Sequence, residues 1–186
     1  PEAAAVTPDG SLLFVVNAES DSVSIIDTKT KAVVKEIKVG DWPCSVKITK
    51  DGKTAYVTCS GCMWEYVDII DVAKQEKTGS IKLTNYGPRD IALSPDGKTA
   101  AVVNDTVGSF NRTVNFIDLN TKQVTEKRVI RESANLRAIE YTPDGAFVVV
   151  TYESPKNWLP VCEAENGEVF TNNIAVLETK PGGKVA

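Results

Sequence analysis

Along the chain, apolar residues fall into short runs of about five, and the runs are paired across Asp-Gly turns. Thr7-Pro8-Asp9-Gly10 leads to Phe14-Val15-Val16-Asn17, and Thr49-Lys50-Asp51-Gly52 leads to Tyr56-Val57-Thr58-Cys59. Ser94-Pro95-Asp96-Gly97 precedes Ala100-Ala101-Val102-Val103-Asn104, and Thr142-Pro143-Asp144-Gly145 precedes Val148-Val149-Val150-Thr151. Asp bonds to nearby backbone and Gly tolerates positive φ, so each copy predicts strand, tight turn, strand. A third run ending in an acid follows every pair: Val23–Asp27, Val67–Asp71, Val114–Asp118 and Ile174–Glu178. After three of these comes a charged alternating run, near 32–37, 77–82 and 124–129, the composition of an outer edge strand that resists edge-to-edge pairing. No stretch carries sustained helical periodicity.

The turn aspartates 9, 51, 96 and 144 lie 42, 45 and 48 residues apart. That is the period of a four-stranded propeller blade. The expected fold is all-β: a β-propeller of antiparallel blades near 1–39, 40–84, 85–131 and 132–186, with the first strand of each blade innermost. The chain starts at an innermost strand and stops where a fourth outer strand would begin. A larger ring of seven blades is therefore expected, and Pro1, already close to a strand, reads as a processed or truncated start.

Tyr56-Val57-Thr58 after its turn, Val15-Val16-Asn17, Val102-Val103-Asn104 and the third-strand Ile-Asp-Thr pattern resemble the YVTN family of β-propeller repeats. The resemblance implies the propeller fold. It also implies an extracytoplasmic setting, periplasmic or cell-surface, since similar propellers serve in surface-layer proteins and beside the cofactors of nitrite reductase and amine dehydrogenases. Fold alone does not fix function.

Composition narrows the chemistry. A net charge of −4 offers no basic field for nucleic acid, and no apolar run is long enough to span a bilayer. The absence of His removes the commonest general base and metal ligand from this segment, and with it Ser-His-Asp, Cys-His and multi-His copper chemistry here. A lactone-hydrolysing site finds no acid, base or metal groups at the expected channel mouth.

Variation between repeats marks the candidate surface. From turn aspartate to third-strand acid the distance grows from 18 to 20, 22 and 34 residues, all between the second and third strands. Loops on a rigid scaffold carry most sites, so that rim is the expected functional face. Cys44, Cys59, Cys62 and Cys162 all fall near it, as disulfide candidates that pin loops. Alternatively, Cys59, Cys62 and Met63 form a soft-metal site for copper. Cys59-Ser60-Gly61-Cys62 is followed by Met63 where a c-type haem motif requires His.

Counting back from the turns aligns Glu2, Cys44, Arg89 and Arg137 at the openings of the innermost strands. Arg89 and Arg137 are candidates for binding a carboxylate or phosphate, with Trp42 and Trp158 as aromatic contacts. The competing reading pairs the arginines with Asp90, Glu140 or loop carboxylates. The long fourth connection, from Glu153 through Trp158 to Phe170, is expected to form a flap, and Tyr86 lies on the same face. Two acceptor patterns for glycosylation, at Asn104 and Asn111, carry little weight.

Together these features point to a non-catalytic extracytoplasmic propeller that presents one loop face to a protein partner or small anionic ligand, as a subunit of a periplasmic redox complex. The alternative is a metal-binding or redox enzyme module built on the rim cysteines or the arginine-lined mouth. Further blades or another chain are needed to close the ring.

Overall fold

The computed structural model describes residues 1–61, 65–105, 112–155 and 170–185. Their strands form four antiparallel sheets. The first holds β1 (Ala3–Val6), β2 (Leu12–Asn17), β3 (Ser22–Asp27) and β4 (Ala32–Lys38). The second holds β5 (Pro43–Ile48), β6 (Thr54–Cys59), β7 (Tyr66–Asp71) and β8 (Glu76–Lys82). In the third are β9 (Pro88–Leu93), β10 (Thr99–Asn104), β11 (Arg112–Asp118) and β12 (Gln123–Ile130). The fourth comprises β13 (Ala134–Tyr141), β14 (Phe147–Pro155) and β15 (Phe170–Glu178), with a single further bridge from Leu177 to Val185. Sequence neighbours are hydrogen-bonded neighbours throughout, so each sheet is a meander. A 3-10 turn at Ala18–Ser20 is the one helical segment among the described residues.

The repeated turn is a hydrogen-bonding device. The hydroxyls of Thr7, Thr49, Ser94 and Thr142 donate to Oδ1 of Asp9, Asp51, Asp96 and Asp144 at 2.6, 2.7, 2.6 and 2.6 Å. The amide two residues past each aspartate donates to the same oxygen. These side-chain hydroxyl bonds, helped by the amides, favour the ionised form and hold all four carboxyls below their ordinary value of 3.8.

The core lies between sheets. Phe14, Val16, Val23 and Ile25 of the first sheet pack on Val46, Val57 and Cys59 of the second. The second sheet's other face, with Tyr56, Val67 and Ile69, meets Ile91, Val102 and Ile117 of the third. Val103, Val114 and Phe116 then meet Leu136, Ile139, Val148 and Leu177 of the fourth. A sheet covered on both faces must be apolar on both, which is why β10 runs Ala100-Ala101-Val102-Val103 without alternation, every residue buried. End sheets alternate instead: in β15, Ala175 and Leu177 are buried while Ile174 is 64% exposed. Val6, 54% exposed, lies on the uncovered face of the first sheet.

The innermost strands β1, β5, β9 and β13 lie side by side in that order. Asp90 on β9 ties three sheets together. Its Oδ1 accepts from the Ser45 hydroxyl of β5 at 2.6 Å and from the Ile91 amide at 2.9 Å, and its Oδ2 accepts from the Ile139 amide of β13 at 3.1 Å. Lys47 and Glu140 form an ion pair between β5 and β13 at 3.3 Å. Farther out, the Arg128 guanidinium lies over the Phe116 ring and donates to the carbonyls of Glu178 and Lys180, fastening the third sheet to the fourth.

Two outcomes follow for stability. Carboxyls held below their unfolded pKa stabilise the fold above that value, and the contribution is lost as pH falls through the folded one. The melting temperature should therefore stay level from pH 7 to about 5 and drop below about pH 4. A variant with Asn at 9, 51, 96 and 144 should lose part of that slope; an unchanged slope would assign it to other carboxylates. Asp90→Ala leaves the Ile139 amide and the Ser45 hydroxyl without their acceptor and should cost roughly 2–3 kcal/mol in a urea unfolding curve, with Asp90→Asn costing less.

Candidate functional site

The chain enters each innermost strand from the rim opposite the Asp-Gly turns. Glu2, Trp42, Cys44, Arg89, Asp90 and Arg137 surround one hollow there, about 320 Å³ in volume. The four residues aligned by repeat counting, Glu2, Cys44, Arg89 and Arg137, are thus brought together, and Trp42 joins them. Trp158 lies outside the described residues.

The two arginines sit differently from the pairing considered above. Asp90 is engaged by Ser45 and the Ile91 and Ile139 amides, and Glu140 by Lys47, so neither is their partner. Arg137 reaches Glu153 at 3.3 Å yet stays 61% exposed. Glu153 lies within β14, which runs two residues past it, rather than in the fourth loop. It also accepts from the Asn135 side-chain amide at 2.6 Å, which with Arg137 holds its carboxyl below the ordinary range. Arg89 has no side-chain ion pair or hydrogen bond to a described residue, while its carbonyl receives the Thr58 hydroxyl at 3.0 Å. Its guanidinium is exposed at the mouth of the hollow.

Trp42 is held in an unusual backbone state. Nine residues before each turn aspartate, the second, third and fourth sheets have Trp42, Gly87 and Asn135, with φ of 54°, 66° and 46°. Chain entry into the innermost strand requires the left-handed region at this point. Gly and Asn suit it, whereas a residue with a bulky side chain pays about 1–2 kcal/mol there. Three hydrogen bonds fix the conformation. The Trp42 amide donates to Asp21 Oδ1 at 2.9 Å, its carbonyl accepts from Ser60 N at 2.9 Å, and the Asp41 carbonyl accepts from Gly61 N at 3.0 Å. Gly61 is needed for this approach, since a Cβ there would stand 2.4 Å from that of Asp41. The indole itself is 48% exposed.

Cys44 and Cys59 are both free thiols, so the disulfide between them that the sequence allowed is not formed. A bulge explains this. Pro43 pairs with Cys59 and Ser45 with Thr58, leaving Cys44 as the extra residue. Cys44 turns toward the third sheet, where its thiol donates to the carbonyls of Arg89 at 3.0 Å and Pro88 at 3.3 Å. Cys59 faces the first sheet, fully buried, 3.9 Å from Asp68 Oδ2. The two occupy opposite faces of one sheet. Burial pushes both thiols up, Cys59 further because the Asp68 carboxylate is beside it. Asp68, also fully buried, accepts from Lys77 at 2.8 Å, Ser80 at 2.6 Å and the Gly40 amide at 2.8 Å. Cys62, Met63 and Cys162 lie outside the described residues, as do Trp64 and the centre of the fourth connection. Among the described residues, no group of three or more His, Cys, Asp or Glu is placed to hold a metal.

Residues that sequence reasoning missed are Asp90 as a bridge, Asp68 as a buried acid and Glu153 as the partner of Arg137. The Asp68 signal was present: its counterparts in the aligned third strands are Ser24, Asn115 and Ala175, all uncharged.

Antiparallel meanders set side by side with the first strand innermost define a β-propeller array, here not closed into a ring among the described residues. The chain belongs to the family described as a domain of unknown function (DUF7165), whose model matches residues 1–157. It is 62% identical to hydrazine synthase subunit beta of Kuenenia stuttgartiensis over 223 aligned residues, covering 97% of this chain and 58% of that protein. A solved structure, the Kuenenia stuttgartiensis hydrazine synthase, superposes on the whole chain with a TM-score of 0.95 at 62% identity, over 53% of its own chain. The seven-bladed beta-propeller protein Rv1057 of Mycobacterium tuberculosis is 26% identical over 140 residues, 68% of this chain and 35% of that protein. The chain thus spans little more than half the length of the Kuenenia relative.

Thiols raised in this way stay protonated at neutral pH and are poor nucleophiles. Iodoacetamide at pH 7.5 should label Cys59 in the native protein on the order of a hundredfold more slowly than in urea, with Cys44 between the two rates. Rapid native labelling of Cys59, or a Cys44–Cys59 cross-linked peptide in a non-reducing digest, would contradict the geometry.

Proposed function

We propose that this chain is part of a non-catalytic propeller subunit in an extracytoplasmic redox complex of the hydrazine synthase kind, and that its strand-entry rim docks a partner subunit. The observation that carries this reading is the 62% identity to hydrazine synthase subunit beta, sustained over 97% of the chain. The backbone is shared as well, with a TM-score of 0.95 to the Kuenenia stuttgartiensis hydrazine synthase structure.

Two further features agree with it. Trp42 and Tyr86, 48% and 46% exposed, stand on one rim with Arg89 and Arg137. Trp, Tyr and Arg are the residues most enriched at the energetic centres of interfaces. The uncovered apolar faces of the first and last sheets, with Val6 on one and Ile174 and Phe147 on the other, suit further blades of the same YVTN-like repeat. Four blades over about half of the Kuenenia relative's length leave room for three more, which gives the ring of seven. A periplasmic or cell-surface location belongs to the same proposal.

Native affinity purification of the intact protein should bring down its partner subunits in fixed ratio. Tyr86→Ala should weaken that association at least about tenfold, equivalent to about 1.4 kcal/mol. Purification as a lone chain would overturn the docking reading, and unchanged capture by the Tyr86 variant would move the contact off this rim.

A further inference from the structure

We infer that the hollow at the mouth of the innermost strands binds an organic carboxylate, its charged end held by Arg89 and Arg137 and its flat apolar body laid against Trp42. This deepens the reading above and rests on it only in placing functional contacts on this rim.

Three independent observations converge on the hollow. The first is Trp42. Where the neighbouring sheets put Gly87 and Asn135, residues at ease with positive φ, the second sheet puts a bulky aromatic at φ 54°. The backbone is held by its hydrogen bonds to Asp21 and Ser60, but burial of the ring contributes little, since it is about half exposed and lines the cavity. Strain of this kind persists where the surroundings enforce it and clusters at ligand clamps.

The second observation is donor supply. Arg89 brings five N–H groups to the mouth of the hollow with no side-chain partner among the described residues, and Arg137 is held only by one 3.3 Å contact to Glu153. A guanidinium fork matches a carboxylate in a bidentate arrangement. The third is charge. Glu2 and Asp90 also line the hollow and Glu153 stands behind Arg137, so the two arginines meet three carboxylates, of which Asp90 is already bonded to Ser45, Ile91 and Ile139. Such a balance suits a singly charged carboxylate better than a doubly charged phosphate. The volume of about 320 Å³ lies at the small end of ligand sites, which run from about 300 to 1,000 Å³.

Isothermal titration calorimetry of the intact protein at pH 7, with sodium benzoate, sodium acetate and inorganic phosphate as probes, tests the inference. Benzoate should bind at least about tenfold more tightly than the other two, because only it offers both charge and a ring. Arg89→Gln should weaken it at least about tenfold, and Glu2→Gln should tighten it. Trp42→Gly should weaken benzoate binding while raising the melting temperature, since Gly relieves the left-handed strain. Trp42→Asn, which copies the fourth sheet, should behave alike and serves if the Gly variant does not fold.

Equal binding of the three probes, no benzoate binding, or binding unmoved by Arg89→Gln and Trp42→Gly would overturn the site. A fall in melting temperature with both Trp42 variants would make the indole a packing residue and overturn the clamp. Absence of benzoate binding with partner capture intact sinks this inference and leaves the docking reading standing. Lost partner capture with benzoate binding intact does the reverse.

Discussion

Three sheets depend on one carboxylate. Asp90 sits where β5, β9 and β13 come closest, and its two oxygens take donors from all three strands. The Ser45 hydroxyl and the Ile139 amide are partly buried between the strands, so each gains from a protein acceptor there. A carboxylate has lone pairs enough for several donors at once. Ala138, its counterpart in the fourth sheet, has no acceptor, and Ser45, its counterpart in the second, is itself one of the donors. The middle strand of the three is the one that carries the acid.

Outward from that point, burial dictates composition. The second and third sheets are covered on both faces and spend small and β-branched residues on each, as in Ala100 to Val103. In the first and last sheets, strands such as β2 and β15 alternate in and out because only one face of each sheet is covered by a described neighbour. This scaffold fixes the rim, where its geometry makes a demand of its own: the left-handed step into each innermost strand. Gly87 and Asn135 meet that demand cheaply. Trp42 meets it at a cost and stands over the hollow between Arg89 and Arg137, which is why the rim attracts a functional reading.

Much of this was legible in the chain. Counting from the Asp-Gly turns aligned Glu2, Cys44, Arg89 and Arg137 correctly, since every turn is closed by the same hydroxyl and amide bonds and each of the four lies seven residues before its turn aspartate. Counting placed Cys44 but missed the direction of its thiol, because a bulge leaves it between Pro43 and Ser45 with no partner on β6 and turns it away from Cys59. A bulge changes side-chain direction without changing the sequence pattern, so the period of two could not reveal it. Counting also missed Glu153 as the partner of Arg137, because β14 extends beyond the apolar run that announced it.

What the sequence determined by itself is the repeat: turn chemistry is local, with Asp, Gly and a Thr or Ser placed within a few residues, and strand pattern follows from alternation along one segment. Tertiary structure alone decided which polar groups meet across sheets. Asp90 with Ser45 and Ile139, Lys47 with Glu140 and Arg128 with Glu178 join residues 45 to 93 positions apart. Such pairings depend on how sheets stack about the innermost strands, and no local pattern encodes a distance between blades.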